Sequence, residues 1–597
     1  NIDVIVDRLD MVERDILNKL NDIQSEIRYE IQMNSLIDNI ADIEASYTLF
    51  KSYTNQSLNG TIEKYTLKNF AQQTVSHSEN SVYSKFLKIH ILILEKESGQ
   101  LISREGLFDL MSNYLATKSS QCYTTQSPTQ LLTNMFLLLQ VTQYKAFLMI
   151  QYSWMLLRIY NKGDFVKESN ILKIIFVEQI AHQTTALLKS LNGAKNSFWR
   201  CDPHIHVKEK TYTQVTNFLQ GYIVNEVDIN SGGTCWQNCA YYSNTKQYDC
   251  YENLFCAAQP KCNGTIFGCR YNYKDMWVCH SPPNTNRLYD YIQFDNDDIY
   301  GKETSCTSSS KASSWWRWLF WHCSYCYCYC DDHTNSDRFF NLRPVVSDVL
   351  NNRIITGLRF IKVNKVIHLQ IQEGQVIDEA NINMSTISWR PVDSYNITDP
   401  SVKPDLDYHT LNWEYRAIHL DDLIVPKNYF VTGVKFRRLG GNINLEIQAT
   451  LFNRTNGKLI NPLKNSYWIS NDKTESNLMQ NRTEVKLIRP DIPIRSNTDS
   501  IIDSSDGQFI KFQSSDDIYD AAQTAVPFID VQEVTPDPPV PLVGIGLYHK
   551  GRKYSGGFIA PKVFTFKYEE IIVQCLQHEN QKYFQQWQPL SASYRVI

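Results

Sequence analysis

The segment Ile355-Thr356-Gly357-Leu358-Arg359-Phe360 recurs 76 residues later as Val431-Thr432-Gly433-Val434-Lys435-Phe436. A second run follows each copy, His368-Leu369-Gln370-Ile371-Gln372 in the first and Asn444-Leu445-Glu446-Ile447-Gln448 in the second. Apolar and polar residues alternate in these runs, which is typical of strands with one buried face. Each pair of runs therefore predicts a β-hairpin, and the repeat predicts an all-β domain over residues 338–597.

A weaker third copy is present near the C-terminus. It reads Val543-Gly544-Ile545-Gly546-Leu547-Tyr548 and is followed by residues 556–561 and a predicted strand at 563–568. Three related hairpins predict pseudo-threefold symmetry, and we expect a β-prism-like fold. The proline-rich stretch 536–541 before the third copy cannot lie in a central strand, so it predicts a rigid loop inside the domain.

Cysteine is concentrated in the middle of the chain. Twelve of the fifteen cysteines are Cys235, Cys239, Cys250, Cys256, Cys262, Cys269, Cys279, Cys306, Cys323, Cys326, Cys328 and Cys330. An even, dense cluster predicts a small loop-rich module, at residues 201–337, that disulfides hold together in an oxidising compartment. In an extended segment Cys326, Cys328 and Cys330 point to one face, so we expect each to bond a different distant partner.

The three remaining cysteines are Cys122, Cys201 and Cys575. A bond between Cys122 and Cys201 would tie two predicted helices together and leave Cys575 unpaired or bonded to another chain. If the cluster were reduced, a tetrahedral zinc site would be available from His322, Cys323, Cys326, Cys328, Cys330 and His333. Disulfides are favoured because the chain is expected to be extracellular, and neither a metal nor another cofactor is predicted.

The first 200 residues show the apolar spacing of helices. Steps of three and four from Val4 to Ile43 predict a long amphipathic helix that packs in a bundle, in preference to a coiled-coil dimer. Further helices are expected at 84–97, 104–116, 129–160 and 166–191. The segment 131–160 is long enough to span a membrane, but its Gln, Lys and Arg residues favour a buried central helix. Residues 1–200 are therefore expected to form an α-helical domain.

Several features predict a secreted glycoprotein. Seven Asn-x-Ser/Thr sequons occur, at Asn55, Asn59, Asn263, Asn383, Asn396, Asn453 and Asn481. The sequence begins Asn1-Ile2-Asp3 with no Met and no apolar leader, as expected of a mature chain whose signal peptide has been removed. The formal charge of −4 over 597 residues gives no general reason to expect nucleic-acid binding.

One run is the strongest candidate contact surface. The sequence Trp315-Trp316-Arg317-Trp318-Leu319-Phe320-Trp321 contains five aromatic residues in seven. If the run is exposed, Trp315, Trp316, Trp318 and Trp321 are expected to contact a membrane interface or a partner. Because a large exposed apolar patch favours aggregation, the favoured interpretation is that the run fills the core of the cysteine-rich module.

Three further groups of residues could bind a metal or another ligand, but a simpler interpretation is favoured for each. The segment Cys201-Asp202-Pro203-His204-Ile205-His206 spaces two imidazoles for a metal on one strand face, but no third ligand is identified. The segment Asp295-Asn296-Asp297-Asp298 lacks the Gly and Glu of an EF-hand loop and is expected to be solvated. The segment Lys550-Gly551-Arg552-Lys553, beside Tyr548 and His549, is expected at a β-turn, where simple surface charge is favoured over an anionic or sugar ligand.

The common motifs of serine hydrolases, zinc proteases and P-loop enzymes are absent from the sequence, so no enzyme is predicted.

The C-terminal sequences ITGLRF with HLQIQEG, VTGVKFRRLGGNINLEIQ, DAAQTAVPFIDVQ and GLYHKGRKYSGGFIAP resemble those of a family of large secreted insect proteins with an uncharacterised C-terminal domain. The resemblance covers residues 341–568. The segment Cys326-Tyr327-Cys328-Tyr329-Cys330-Asp331 is similar to that family as well. The N-terminal region resembles the family only in being helical. The resemblance implies an extracellular arthropod protein and supplies neither an activity nor site residues.

These observations predict a multidomain α + β protein with a helical bundle, a cysteine-rich disulfide module and a β-prism-like, pseudo-threefold domain. The expected function is extracellular binding or a structural role, with lectin-like carbohydrate recognition and with glycans or extracellular matrix as partners. A membrane-active, pore-forming toxin-like protein is the first alternative, because some insecticidal pore formers join a helical bundle to a β-prism. A self-assembling, homo-oligomeric matrix component is the second.

Overall fold

The protein is described by a computed structural model. It covers residues 2–58, 60, 63–94, 106–116, 122, 124–272, 274–282, 285, 287–332, 335–453, 456–471, 482–569 and 572–573, with side chains described from residue 28 onward except at 58. The chain divides into two compact units, Asn1–Ser197 with Thr565–Ile597, and Phe198–Phe564. The described part of the first unit is mainly helical and that of the second is mainly β-sheet, so the protein has a mixed α + β fold.

The unit boundaries differ from the three predicted domains. Residues on both sides of the predicted boundary at 337/338 lie in the second unit, and the residues from Thr565 onward group with the helices.

The described helices lie mainly where apolar periodicity places them. They are α1 (Ile2–Leu58), α2 (Lys64–Thr74), α3 (Val82–Leu94), α4 (Leu107–Ala116), α5 (Pro128–Ile159) and α6 (Val166–Gly193). The sequence did not predict α2, and α1 continues past Ile43. Helix α5 begins where Ser127 accepts a hydrogen bond from the backbone N–H of Gln130 and Pro128 occupies the first turn.

Helix α5 is the centre of the helical unit. It contacts each of the other five described helices, and Leu132, Leu139 and Ile150 are fully buried. Three of its polar residues have partners within the unit, since Lys145 Nζ lies 2.6 Å from Glu44 Oε1, Gln140 donates a hydrogen bond to Gln183, and Gln151 accepts one from Ser169. These contacts confirm a buried central helix, and α1 packs on α3, α4 and α5 as expected of a bundle. Among the described helices, none combines the length and apolar character needed to cross a membrane.

The cysteine-rich region contains more strand than its composition predicts. Its strands, with β1 that precedes it, are β1 (Ser197–Phe198), β2 (Tyr212–Thr213), β3 (Gln220–Asn225), β4 (Asn244–Thr245), β5 (Thr265–Asn272), β6 (Met276–His280), β7 (Tyr289–Phe294), β8 (Ile299–Gly301), β9 (Ser309–Ala312), β10 (Trp315–Arg317), β11 (Trp321–Cys323) and β12 (Tyr325–Asp331). They form the four-stranded sheets β3-β12-β5-β4 and β8-β7-β6-β9, and the hairpin β10-β11. The expected loop-rich scaffold is therefore built on two small antiparallel sheets.

Six disulfides join the twelve clustered cysteines. They are Cys235–Cys323, Cys239–Cys326, Cys250–Cys256, Cys262–Cys330, Cys269–Cys328 and Cys279–Cys306. Strand β12 carries three of these bonds to three separate partners, which confirms the prediction for Cys326, Cys328 and Cys330. Disulfides at this density are typical of an extracellular compartment.

The rest of the second unit contains the repeats. Its strands are β13 (Phe339–Asn341), β14 (Val345–Val346), β15 (Arg353–Val363), β16 (Val366–Val376), β17 (Ile382–Trp389), β18 (Tyr408–Thr410), β19 (Ala417–Leu420), β20 (Asp422–Ile424), β21 (Tyr429–Leu439), β22 (Asn442–Leu451), β23 (Ser466–Ser470), β24 (Thr483–Glu484), β25 (Ile501–Ile502), β26 (Gln508–Lys511), β27 (Gln513–Ser514), β28 (Ala525–Val526), β29 (Phe528–Asp530), β30 (Leu542–Gly551) and β31 (Phe558–Thr565). The hairpins β15-β16 and β21-β22 are the two predicted copies. The proline-rich stretch lies in the loop between β29 and β30.

Three sheets share one strand pattern. In each, the second strand of a long hairpin pairs in parallel with a short strand, and that short strand pairs antiparallel with a fourth. The sets are β15-β16-β13-β18, β21-β22-β19-β26 and β30-β31-β29-β2. The chain then continues from each short strand to the next hairpin, where Val345 pairs with Val434, Leu423 with Ile545, and Val534 with Leu358. The three hairpins are thereby connected in a closed cycle.

The same strand pairings align the third copy of the repeat with the first two copies. They place Gly544, rather than Ile545, at the position of Gly357 and Gly433. The neighbouring strand approaches closely there, because a Cβ on Gly357 would lie 2.4 Å from the methyl of Thr535 and a Cβ on Gly544 would lie 2.6 Å from a carbonyl oxygen.

Equivalent positions of the three hairpins meet in one hydrophobic core. The matching sets are Leu358, Val434 and Ile545; Phe360, Phe436 and Leu547; Ile367, Ile443 and Ile559; and Phe340, Ile418 and Ile529. The rings of Phe360 and Phe436 stack with centroids 6.2 Å apart. The core therefore follows the repeat that is visible in the sequence.

Candidate functional site

The tryptophan-rich run forms a hairpin at the surface of the cysteine-rich region. Strands β10 and β11 pair Trp315 with Cys323, Trp316 with His322 and Arg317 with Trp321. Residues 318–320 form the turn, which closes with a hydrogen bond of 3.3 Å from the backbone N–H of Phe320 to the carbonyl of Arg317.

The side chains at the end of this hairpin are exposed. The exposed fractions are 65% for Trp316, 67% for Trp318, 85% for Leu319, 83% for Phe320 and 40% for Trp321. The expectation that the run fills the core is therefore wrong for these residues. We call Trp316, Trp318, Leu319, Phe320 and Trp321 the aromatic tip.

Trp236 extends the same surface. Its side chain is 68% exposed, and its ring packs edge to face against Trp321 with centroids 5.8 Å apart. Nothing in the sequence around Trp236 indicated this role, because the residue lies far from the run and is brought to it by the disulfide of the adjacent Cys235.

The turn of the aromatic tip has an unfavourable backbone for its residues. Trp318 has a φ of 51° and Leu319 a φ of 63°, both in the left-handed region. Bulky side chains rarely adopt this region, and Asn-Gly is the preferred pair at such a turn. Strain of this kind is found at functional sites where other contacts hold the backbone in place.

The base of the hairpin is held rigidly. Cys323 is fully buried and bonded to Cys235. The Trp315 ring is half-buried and stacks on Tyr251 with centroids 5.0 Å apart, so Trp315 is an anchor and is not part of the exposed surface. The guanidinium of Arg317 lies 5.0 Å from the Tyr251 ring and 4.5 Å from the Trp318 ring, and it also donates a hydrogen bond to the carbonyl of Gly233.

Two buried carboxyl groups lie beneath the hairpin. Glu226 Oε2 accepts the backbone N–H of Ser324 at 3.1 Å, and Asp228 Oδ1 accepts that of Tyr251 at 2.8 Å. Burial raises the pKa of Glu226 to about 7 and the pKa of Asp228 to about 6, although these hydrogen bonds oppose the shift. The base of the hairpin therefore contains two acids that titrate near neutral pH.

Among the described residues, neither of the metal sites considered as alternatives in the sequence is assembled. Glu226, Cys239 and Cys326 form the one metal-like cluster among the described residues, but the two sulfurs are bonded to each other. His204 is exposed, whereas the ring of His206 stacks on Phe558 with centroids 4.8 Å apart. Cys323, Cys326, Cys328 and Cys330 are in disulfides and are not available as thiolates, and His333 lies outside the described residues.

The predicted basic patch at Lys550–Lys553 is divided: Arg552 and Lys553 are exposed at a turn as expected, whereas Lys550 is buried, which corrects its assignment to the surface. Lys550 is the second-last residue of strand β30 and has 3% of its side chain exposed, and its Nζ lies 2.9 Å from Asp202 and 2.6 Å from Asp530. Burial alone would lower the pKa of Lys550, but Asp530, Tyr548 and Asp202 raise it above its usual value. The acidic segment at 295–298 is a loop as expected, and Asp298 pairs there with Lys274 at 2.7 Å.

The predicted modification sites are mainly accessible. Asn55, Asn263, Asn396 and Asn453 are exposed and Asn383 is half-buried, while Asn59 and Asn481 lie outside the described residues.

Cys122 and Cys201 are both disulfide-bonded, and Cys201 does not lie in a helix. Cys575 lies outside the described residues.

The second unit also contains a cavity of about 340 Å³. Its lining combines aromatic rings with amides, hydroxyls and two cations: Tyr212, Phe218, Phe528, Gln214, Asn217, Gln220, Gln523, Thr216, Thr285, Thr524, Lys208 and Arg287. The buried Oε1 of Gln523 has no hydrogen-bond partner among the described residues. No motif indicated this cavity, because segments distant in the sequence contribute to it.

Comparison with known proteins gives a family match without an activity. Residues 119–371 match a domain family described as a domain of unknown function (DUF4803). The match includes helices α5 and α6, the cysteine-rich region and most of the first repeated hairpin. No curated protein gives a significant match to the chain.

Proposed function

We propose that the protein is a secreted, extracellular binding protein that attaches to membrane surfaces through the aromatic tip. The observation that carries this proposal is the exposure of Trp318, Leu319 and Phe320 at the end of an anchored hairpin, at 67%, 85% and 83%. Soluble proteins rarely expose a contiguous apolar surface of this kind unless a partner or membrane covers it. A protruding turn suits insertion into the interfacial layer of a bilayer better than burial in a flat protein interface.

The composition of the aromatic tip supports a lipid partner. Tryptophan rings are enriched at the boundary between lipid headgroups and hydrocarbon, where an amphipathic ring is stable. The tip has three Trp side chains, one Leu and one Phe, and Arg317 is the one Lys, Arg, Asp or Glu residue between positions 312 and 330. No carboxylate of this segment would oppose anionic headgroups, and Arg317 would be attracted to them.

Vesicle sedimentation tests the proposal. The purified protein is mixed with vesicles of phosphatidylcholine alone and with vesicles that also contain phosphatidylglycerol. We expect the wild type to bind, and we expect the variant Trp318→Ser, Leu319→Ser, Phe320→Ser to bind at least tenfold more weakly. The matched control changes three apolar residues exposed elsewhere, Ile205→Ser, Leu350→Ser and Leu463→Ser, and should bind as the wild type does.

Equal loss in both triple variants, or no binding by the wild type, would refute membrane attachment through the tip. Release of a trapped dye from the same vesicles separates attachment from membrane permeabilisation. Dye release that depends on the tip would extend the proposal to a toxin-like, pore-forming protein. Binding without release would limit the function to attachment.

Carbohydrate recognition is a second candidate function. Three hairpins with equivalent pairings and one shared core support a pseudo-threefold, β-prism-like architecture, on which lectin-like binding is known, although fold alone does not establish function. The observation that favours this candidate is the cavity of about 340 Å³, in which amides and hydroxyls lie beside aromatic rings. Immobilised glycans should retain the wild type, and a Gln523→Leu variant should be retained less.

A further inference from the structure

A second concave surface adjoins the cavity of about 340 Å³ that Gln523 lines. It is an open groove of about 850 Å³, formed by the loop at 208–210, the end of β15 and the β15-β16 turn. Five cationic and two acidic residues are among those that line it, namely Lys208, Lys210, Arg359, Lys362 and Lys365, with Glu209 and Asp337. The groove is therefore positively charged on a chain whose formal net charge is −4.

The carboxylates of the groove are already engaged. Lys362 is 11% exposed, and its Nζ lies 2.9 Å from Glu209 and 3.1 Å from Asp337. Lys362 therefore pairs with both acidic groups that line the groove. Arg359 is engaged as well, because its Nη1 lies 2.5 Å from Glu533 and its guanidinium stacks 4.3 Å from the Trp389 ring.

Lys208 and Lys210 are the cations left for a ligand. Both side chains are exposed, and neither has a carboxylate within ion-pair distance in the part of the chain that the structure describes. These two lysines therefore give the groove two positive charges that no described carboxylate neutralises. An anion bound here would replace water around ammonium groups that have not been neutralised.

The two lysines are carried on an ordered loop. The backbone N–H of Glu209 donates to the carbonyl of Tyr212 at 2.7 Å, and that of Lys210 donates to the carbonyl of Val207 at 3.1 Å. The N–H of Val207 donates to the hydroxyl of Thr211 at 2.8 Å. Because the loop is already fixed, less conformational entropy is lost when a ligand binds.

Lys208 also lines the smaller cavity, so the two concave surfaces meet at this residue. Together they offer hydrogen-bonding amides and hydroxyls on one side of Lys208 and uncompensated positive charge on the other. An acidic polysaccharide has the matching chemistry, since sugar hydroxyls and anionic substituents alternate along one chain. A protein ligand would require more exposed apolar surface than this mainly charged lining provides.

We propose that the groove at Lys208 and Lys210 binds a sulfated polysaccharide, with Lys208 at the junction between its sulfate groups and its sugar hydroxyls. This inference deepens the second candidate function by naming its ligand class, and it does not depend on the aromatic tip.

Heparin is the probe for this site. We expect the wild type to bind it and the variant Lys208→Gln, Lys210→Gln to bind at least tenfold more weakly, with a smaller dependence of affinity on salt concentration. The matched control, Lys458→Gln with Lys464→Gln, removes the same charge from exposed lysines elsewhere and should stay within twofold of the wild type. Equal losses in the two variants would overturn the proposal, because they would show attraction to overall charge.

Competition separates the sources of the anion. Soluble heparin fragments should displace the protein from immobilised heparin at concentrations at which inorganic phosphate and uncharged dextran do not. Displacement by phosphate as efficient as by heparin fragments would leave a simple oxyanion site and overturn the polysaccharide proposal. The Lys208→Gln, Lys210→Gln variant should bind anionic vesicles as the wild type does, so failure of the groove and failure of the aromatic tip are distinguishable.

Discussion

The β21-β22 and β10-β11 hairpins have similar turns and opposite surfaces. Gly440 and Gly441 have φ values of 57° and 96° in the first, and Trp318 and Leu319 have 51° and 63° in the second. Glycine adopts this region without steric cost, whereas a bulky residue loses on the order of 1 kcal/mol or more there. The first hairpin combines an unstrained turn with a buried apolar face, and the second combines a strained turn with exposed apolar rings. Burial in the core explains the first hairpin, and the proposed contact with a membrane would explain the second.

Two phenylalanines give the largest test of this comparison. Phe436 is 2% exposed in β21 and stacks on Phe360, whereas Phe320 is 83% exposed. We expect Phe436→Ala to lower the free energy of unfolding by about 3 to 5 kcal/mol, because it leaves a cavity in the shared core. Phe320→Ala should change it by less than about 0.5 kcal/mol. Chemical denaturation of both variants measures these values, and a large loss for Phe320→Ala would show that the aromatic tip belongs to a core.

The two regions also differ in whether a buried carboxylate has a cationic partner. Glu446 of β22 lies 3.0 Å from Lys435 and 2.8 Å from Arg437. Glu226 beneath the aromatic tip is 2% exposed and has no cation within ion-pair distance among the described residues. Removing an unpaired carboxyl group from water makes its ionisation unfavourable, and this is the main cause of its raised pKa.

The second prediction follows from the direction of that shift. Below pH 4.5 Glu226 is protonated in both states, and between pH 4.5 and about 7 the unfolded chain releases its proton first. Stability therefore falls as the pH rises through this window, by about 3 kcal/mol in total, and levels off above it. We expect the wild type to unfold more easily at pH 8 than at pH 5, with a smaller difference in Glu226→Gln. Denaturation curves at pH 5, 6, 7 and 8 measure this, with the exposed Glu414→Gln as the control.

A wild type equally stable at pH 5 and pH 8 would contradict the assignment of Glu226 as a buried, unpaired acid. A residual slope in Glu226→Gln would not contradict it, because the pKa of Asp228 is also raised, to about 6, mainly by burial. The double variant Glu226→Gln, Asp228→Asn should remove that slope as well.

Local patterns in the sequence predicted the regular elements. Apolar steps of three and four located five of the described helices, and the 76-residue repeat located two long hairpins. The alternation of Cys326, Cys328 and Cys330 predicted three bonds to separate partners, because alternate residues of a strand share a face. The partners could not be predicted, since they depend on how residues 239–269 fold.

Features set by distant residues could not be predicted. Lys550 was expected at the surface because the carboxylates that bury it, Asp202 and Asp530, are remote from it or unmarked in the sequence. The tryptophan run was assigned to a core because hydrophobicity alone does not distinguish a core from a contact surface. Its turn has no Gly or Asn, so the left-handed residues Trp318 and Leu319 left no signal.

The smallest predicted effect exchanges the two turns and so tests the comparison most directly. Replacing the strained pair by Trp318→Asn with Leu319→Gly supplies the residues that a left-handed turn prefers, so the free energy of unfolding should rise by about 1 to 2 kcal/mol. The same change removes the exposed Trp318 ring and the exposed Leu319 side chain, so vesicle binding should fall.

The reciprocal variant Gly440→Leu introduces a side chain at a φ of 57°, where a Cβ would meet nothing within 4 Å. It should lower the free energy of unfolding by about 1 kcal/mol through the backbone alone. Denaturation and vesicle sedimentation on the two variants together measure both effects. If Asn-Gly lowered stability, the tip residues would be stabilising the fold, and their strain could not be attributed to contact with a membrane.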